Sequence, residues 1–176
     1  MNAQVLPSEQ QTLSVSLADA YARGENDINF FAALCMPEIF LFPLPIFYIA
    51  AWKLIASDDP DRLNSLFRFA LGLPRGHAKT TFVKILIAWM ICYDKASFIL
   101  VVCSNSGLAE NLLADIDDIL SSDNITAVYG QWAQTKAIDS KDTKKAAYHG
   151  RSVTLVARGW SAGIRGINLK NQRPDF

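Results

Sequence analysis

Metal-ligand spacing is missing from this 176-residue sequence. Cys35, Cys92 and Cys103 form no C-x-x-C pair, and His77 and His149 have no partners at zinc-site spacing. No zinc centre is expected. The cysteines, each set among apolar residues, read as buried reduced thiols of a cytosolic protein. Net charge is missing too, since 17 basic side chains balance 17 acidic ones, so the total says nothing about a polyanionic partner. Met1 to Asp19 lacks the basic start and continuous apolar segment of a signal peptide. Ile39 to Trp52 is uncharged, but it is too short to span a bilayer, and Pro43 and Pro45 interrupt it. A soluble chain without a membrane role is expected. No internal repeat is present.

What is there is apolar substance. Hydrophobic residues make up 51% of the chain, enough for one globular domain with a sizeable core and too much for a disordered one. The charge is unevenly spread. Residues 1–135 carry 8 basic and 14 acidic side chains, and residues 136–176 carry 9 basic and 3 acidic. The second stretch reads either as a basic surface or as a solvated lysine-rich loop.

Residues 1–11 are polar and read as loose. Thr12–Ala22 reads as a short helix closed by Gly24. Asn26 or Asp27 caps a second helix reaching Cys35. The Phe40–Phe47 stretch, with its two prolines, reads as a loop packed on the core, and Ile46–Ala56 as a third helix ended by Ser57-Asp58-Asp59-Pro60. Residues 1–60 thus form a helical lead-in, and residues 61–176 form the core it adjoins.

In that core, Phe67–Leu73 reads as a buried strand and Phe82–Cys92 as a buried helix. After a turn at Tyr93–Ala96, Ser97–Cys103 reads as a central strand. Ser104-Asn105-Ser106 leads into a helix whose Leu108, Leu112, Ile116 and Ile119 recur with helical period, while Glu110, Asp117 and Asp118 face away. Asp123–Trp132 reads as a further short helix, Thr135–Gly150 as a loop, and Val153–Ala157 as a third strand. Alternating strands and helices imply an α/β fold with a mostly parallel sheet. Ligands of such sheets lie beyond the carboxyl ends of the strands, where Leu73–Thr81, Cys103–Ser106 and Gly159–Gly166 are expected to meet.

The first of these stretches carries the chemistry. Leu73-Pro74-Arg75-Gly76-His77-Ala78-Lys79-Thr80-Thr81 joins an apolar strand to an apolar helix. A helix N-terminus presents free N–H groups and partial positive charge to an anion. A lysine there adds a full charge for the outer phosphates, and the next hydroxyl can ligate Mg²⁺. The G-x-x-x-x-G-K-[ST] pattern fails, because its glycine positions hold Leu73 and Ala78. The plain alternative is a strand-to-helix turn with an exposed Lys79 and a capping Thr80. Arg75, a second fixed cation, favours the phosphate reading.

Pro74-Arg75-Gly76-His77-Ala78-Lys79-Thr80, with Arg165-Gly166 and Arg173-Pro174-Asp175 downstream, resembles the ATPase domain of the large terminase subunit of tailed bacteriophages. Cys35-Met36-Pro37-Glu38 resembles the lead-in of some members. The resemblance covers roughly residues 26–176 and implies a P-loop NTPase-type fold. The implied activity is an ATPase that drives double-stranded DNA into a capsid in the cytoplasm of an infected bacterium. Portal protein, small terminase subunit and further copies of the chain would be its partners. ATP and Mg²⁺ would be held by Pro74, Gly76, His77, Ala78, Lys79, Thr80 and Thr81. Within that set Lys79 would contact the β- and γ-phosphates, Thr80 the metal, and Gly76 would let the backbone approach. Arg75 would reach the γ-phosphate, and Arg165 would sense nucleotide or DNA. In the family Arg-Pro-Asp opens a strand ending in two acidic residues, one for Mg²⁺ and one for the attacking water. Phe176 is the last residue here, so the expectation is a fragment that binds nucleotide with little turnover. A helicase- or repair-type P-loop ATPase and a non-catalytic DNA- or partner-binding remnant are the alternatives.

Overall fold

Helix α4 (Lys79–Cys92) is buried at Phe82 and at every position from Ile85 to Cys92, and the other elements are laid around it. The computed structural model describes residues 16–56, 72–160 and Pro174. From Ile85 to Cys92 the helix is apolar all round and must be enclosed, because no face of that stretch is suited to water.

The first cover comes from three helices. Helix α1 (Leu17–Asn26) is capped by Ser16, whose Oγ accepts the Asp19 amide at 3.1 Å. It starts later than the predicted Thr12–Ala22, whose first residues lie outside the described ones. Gly24 does not close the helix. It lies inside α1, where a Cβ would come within 2.4 Å of the Tyr129 hydroxyl and 2.5 Å of the Tyr93 hydroxyl. Glycine there lets α1 sit against the Tyr93–Tyr129 pair, and the Gly24 carbonyl accepts the Trp89 indole N–H at 3.1 Å.

Helix α2 (Ile28–Cys35) has Asp27 as its cap, with one carboxylate oxygen accepting the amides of Asn29 and Phe30. Helix α3 (Ile46–Ala56) has the predicted bounds and buries Tyr48, Ala51 and Trp52, a single stripe at helical spacing. Trp52 meets Trp89 of α4 edge to face, 5.7 Å between ring centres. The segment between α2 and α3 packs only in part. Leu44 is buried, whereas Ile39, Leu41 and Phe42 are 66–82% exposed.

After α4, a turn with Asp94 in the left-handed region leads into strand β1 (Phe98–Cys103). Asn105 then caps α5 (Ser106–Ser121), and α6 (Asp123–Tyr129) follows. Residues 135–150, predicted as a loop, are mostly strand. Strands β2 (Lys136–Asp139) and β3 (Thr143–Tyr148) pair antiparallel, and β3 pairs antiparallel with β4 (Arg151–Gly159). The β3–β4 turn is His149-Gly150, both with positive φ, the mirror-image geometry that matches the twist of a two-residue hairpin.

Spatial order is β1-β4-β3-β2, a four-stranded mixed sheet with helices packed against it. Only β1 and β4 run parallel among the described strands, so the sheet is not mostly parallel there. The predicted strand Phe67–Leu73 falls outside the described residues up to Leu71, and Gly72 and Leu73 are irregular. Buried residues from α2 through β4 join in one apolar cluster. No helix among the described residues is long and apolar enough to cross a membrane.

Asp117 is the one buried charged side chain of the described residues, rather than the outward-facing one its position suggests. Its Oδ1 accepts the Trp132 indole N–H at 2.7 Å, and its Oδ2 accepts from Lys136 at 2.9 Å and lies 3.5 Å from Lys144. Both lysines also pair with Asp139. Burial alone would lower the Lys136 ammonium, yet its bonds to Asp117 and Asp139 raise it overall. The bonds from Lys144 and Lys136 hold the Asp139 carboxyl below its usual range.

Gly159 ends β4 against the start of α5. A Cβ at that position would lie 2.6 Å from the backbone nitrogen of Ser106 and 2.9 Å from its Oγ. Backbone cannot step aside as a flexible side chain does. Gly159→Ala is therefore expected to destabilise the fold by about 1–3 kcal/mol, measured as a shift of the urea midpoint at unchanged m-value.

Candidate functional site

Between Leu73 and Lys79 the chain makes a tight, exposed loop, and its conformation depends on two residues with positive φ. Gly76 stands at φ 83° and Ala78 at φ 52°. Glycine takes such values freely, but alanine does not, because its Cβ meets the next carbonyl oxygen. Ala78 occupies the position that the G-x-x-x-x-G-K-[ST] pattern gives to its second glycine, and it takes a left-handed conformation there. Ala78→Gly is expected to raise stability by about 0.5–1 kcal/mol, the left-handed penalty less the extra freedom glycine has when unfolded. Urea unfolding reads this directly.

Helix α4 starts at Lys79, three residues before the predicted Phe82, so Lys79, Thr80 and Thr81 form its first turn. Its first hydrogen bond runs from the Phe82 amide to the Ala78 carbonyl, 2.9 Å. The amides of Lys79, Thr80 and Thr81 thus have no partner within the helix, and Ala78 offers no side chain to cap them. A Thr80 cap on that terminus is excluded, since Thr80 is the second helical residue.

Lys79 folds back across the loop. Its ammonium donates to the carbonyls of Leu73 and Pro74, each at 2.6 Å. One ammonium proton then remains for an incoming anion. Arg75, Gly76, His77 and Ala78 are all exposed, and Leu73 packs against the core. His77 Nδ1 lies 3.2 Å from the Arg75 carbonyl, within hydrogen-bond reach across the loop. Thr80 is exposed at the mouth of the same turn. Arg75, Lys79, Thr80 and three amides without helical partners therefore lie in one short stretch at an exposed helix start, residue types suited to a polyphosphate and to a Mg²⁺ ligated through a hydroxyl.

The residue that sequence reasoning undervalues is Tyr48. Its ring is fully buried, stacked on Phe82 with 4.4 Å between centres, and its hydroxyl donates to the His77 carbonyl. Burial raises its pKa, so it stays a neutral donor. Enclosed in this way, its ring is not available to stack on a base. In the sequence it looks like any other aromatic of an apolar run.

The other expected ligand-side stretches meet in part. Cys103–Ser106 and the end of β4 do come together, with the Trp160 amide donating to the Cys103 carbonyl at 2.8 Å. No hydrogen bond or ion pair among the described residues joins that group to the Leu73–Lys79 loop. Arg165, Gly166, Arg173 and Asp175 lie outside the described residues. Four of the six basic side chains that this stretch has among the described residues are engaged within the fold. Lys136 and Lys144 pair with Asp117 and Asp139, Arg151 with Asp94, and Arg158 with Asp142. The chain matches no protein family, no curated protein and no solved structure.

Proposed function

We propose that this chain is the ATP-binding portion of a viral DNA-packaging motor, the large terminase subunit. Such a motor couples ATP hydrolysis to the movement of double-stranded DNA into a capsid. One observation carries the reading. A helix start with free amides is combined with a lysine folded over a loop whose left-handed residue stands where a phosphate loop needs it. In this reading Lys79 holds the β- and γ-phosphates, and Thr80 ligates Mg²⁺. Arg75 neutralises charge on the γ-phosphate, and the exposed backbone of Gly76, His77 and Ala78 lines the phosphate cradle. Arg165 couples the site to nucleotide or DNA. The sheet is the edge of a larger, mostly parallel P-loop NTPase-type sheet, and the working form is a homo-oligomer that meets a portal protein and a small terminase subunit in the host cytoplasm.

Lys136, Lys144, Arg151 and Arg158 are paired with carboxylates of the chain itself, so a remnant that only binds DNA through its charge would have to use the other basic residues of that stretch. Isothermal titration with MgATP tests the reading. Saturable one-site binding that requires Mg²⁺ is expected. Absence of binding, or equal binding by a Lys79→Ala chain, would reject it.

A further inference from the structure

Tyr48 does more than hold a loop to a core, and its further role rests on the phosphate-binding reading of that loop. The peptide between His77 and Ala78 is trans, like every other peptide among the described residues. In a planar trans peptide the C=O and N–H point in opposite directions. Tyr48 fixes the His77 carbonyl toward α3 and the buried side. The Ala78 N–H must then point the other way, away from α3, on a loop whose residues from Arg75 to Ala78 are exposed.

Holding that orientation opposes a local preference. With the carbonyl turned inward, Ala78 sits at φ 52°, a conformation alanine avoids. Flipping the peptide would rotate the His77 ψ and the Ala78 φ together, carry Ala78 to negative φ, and expose the carbonyl to water. It would also turn a carbonyl oxygen toward the anion site in place of an N–H donor. The same Tyr48 ring stacks on Phe82 in the first turn of α4, so α3 grips the chain on both sides of Ala78. Backbone strain of this kind persists only where its surroundings over-determine it.

We infer that Tyr48 is a positioning residue that locks the His77–Ala78 peptide with its N–H facing the phosphate site, and so makes α3 part of the nucleotide-binding machinery. The grip also gives a route by which anything that shifts α3 would weaken nucleotide binding, without touching Lys79.

The test compares four 176-residue chains: unaltered, Tyr48→Phe, Ala78→Gly, and the double variant. Tyr48→Phe keeps the buried ring and its stack and removes only the hydroxyl. MgATP and pyrophosphate are titrated into each, and the backbone HN–Hα coupling of residue 78, which reports φ, is read by NMR without ligand. Tyr48→Phe is expected to weaken both ligands about tenfold, the worth of one hydrogen bond in this setting, and to change the Ala78 coupling. The double variant is expected to recover most of the affinity, because glycine accepts positive φ without being held. A merely structural loss at Tyr48 would not be rescued by a glycine in the loop. Unchanged affinity in Tyr48→Phe, or no recovery in the double variant, overturns the inference. If the unaltered chain binds neither ligand, the phosphate reading has failed, and the coupling alone decides whether Tyr48 sets the peptide: no change in Tyr48→Phe overturns it, and a change upholds it.

Discussion

Asp117→Ala is expected to lower the unfolding free energy by about 3–5 kcal/mol, the cost of removing one partner from a buried ion pair. The geometry explains why. Asp117 lies on α5 and gathers three donors from later in the chain: Trp132, Lys136 and Lys144. Lys136 and Lys144 have side chains only 12% and 13% exposed. Without Asp117 they share the single carboxylate of Asp139, which is 52% exposed and partly screened by water. The buried Trp132 indole loses its acceptor altogether, which by itself costs about 1–3 kcal/mol. Domains of this size are stable by only about 5–15 kcal/mol, so the variant stands near the limit of folding at 37 °C. Guanidinium unfolding followed by tryptophan fluorescence measures the loss. Asp117→Asn keeps an oxygen for Trp132 and discards the charge, so it should fall between the two. Equal stability of Asp117→Ala and the unaltered chain would show that the β2–β3 hairpin is held by packing alone.

Lys79→Ala is expected to weaken MgATP binding about a hundredfold or more. The ammonium would give a phosphate one charge-assisted hydrogen bond plus a close positive charge. Hydrogen bonds to charged groups are worth about 1.5–3 kcal/mol, and about 2.7 kcal/mol corresponds to two decades of affinity. Fold stability should change little, because the lost bonds are to carbonyls of an exposed loop that water can reach. Lys79→Met separates charge from packing. It keeps the stem that crosses the loop and should bind as poorly as alanine does. Lys79→Arg keeps the charge but carries it on a planar fork that fits the Leu73 and Pro74 carbonyls less well, so partial binding is expected. Calorimetry gives the affinities, and thermal unfolding checks that each variant is folded.

Much of the helical architecture is legible in the sequence because local signals and burial agree. Asp27 caps α2, Ile46–Ala56 has the bounds its composition suggests, and the apolar runs of α4 and β1 could only be interior. The β2–β3 hairpin is hidden because lysines hold several of its half-buried positions. Lys136 and Lys144 are enclosed by virtue of Asp117 and Asp139, and such partners do not appear in the periodicity of a single segment. Asp117 itself reads as outward-facing when α5 is taken without the chain that folds over it. Gly24 looks like a helix end, where glycine is common, but close approach to two tyrosine hydroxyls is what requires it. In the site, Lys79 and the loop are legible as chemistry. Tyr48 is not, since nothing local separates an aromatic that packs from one that packs and also holds a carbonyl.

The order of strands in space sets a condition on synthesis. β4 is the last described strand to leave the ribosome, and it lies between β1 and β3. Until residues 151–159 emerge, β1 has no described strand beside it, and β2–β3 is a lone hairpin, marginal in water by itself. Helices α1 to α4 are already complete by then, with the apolar face of α4 waiting for its cover. The nascent chain therefore passes through a stage in which much of its interior has been made and its sheet has not. Chaperone demand should peak there, and a stall site placed just before β4 would hold the chain in its most aggregation-prone form.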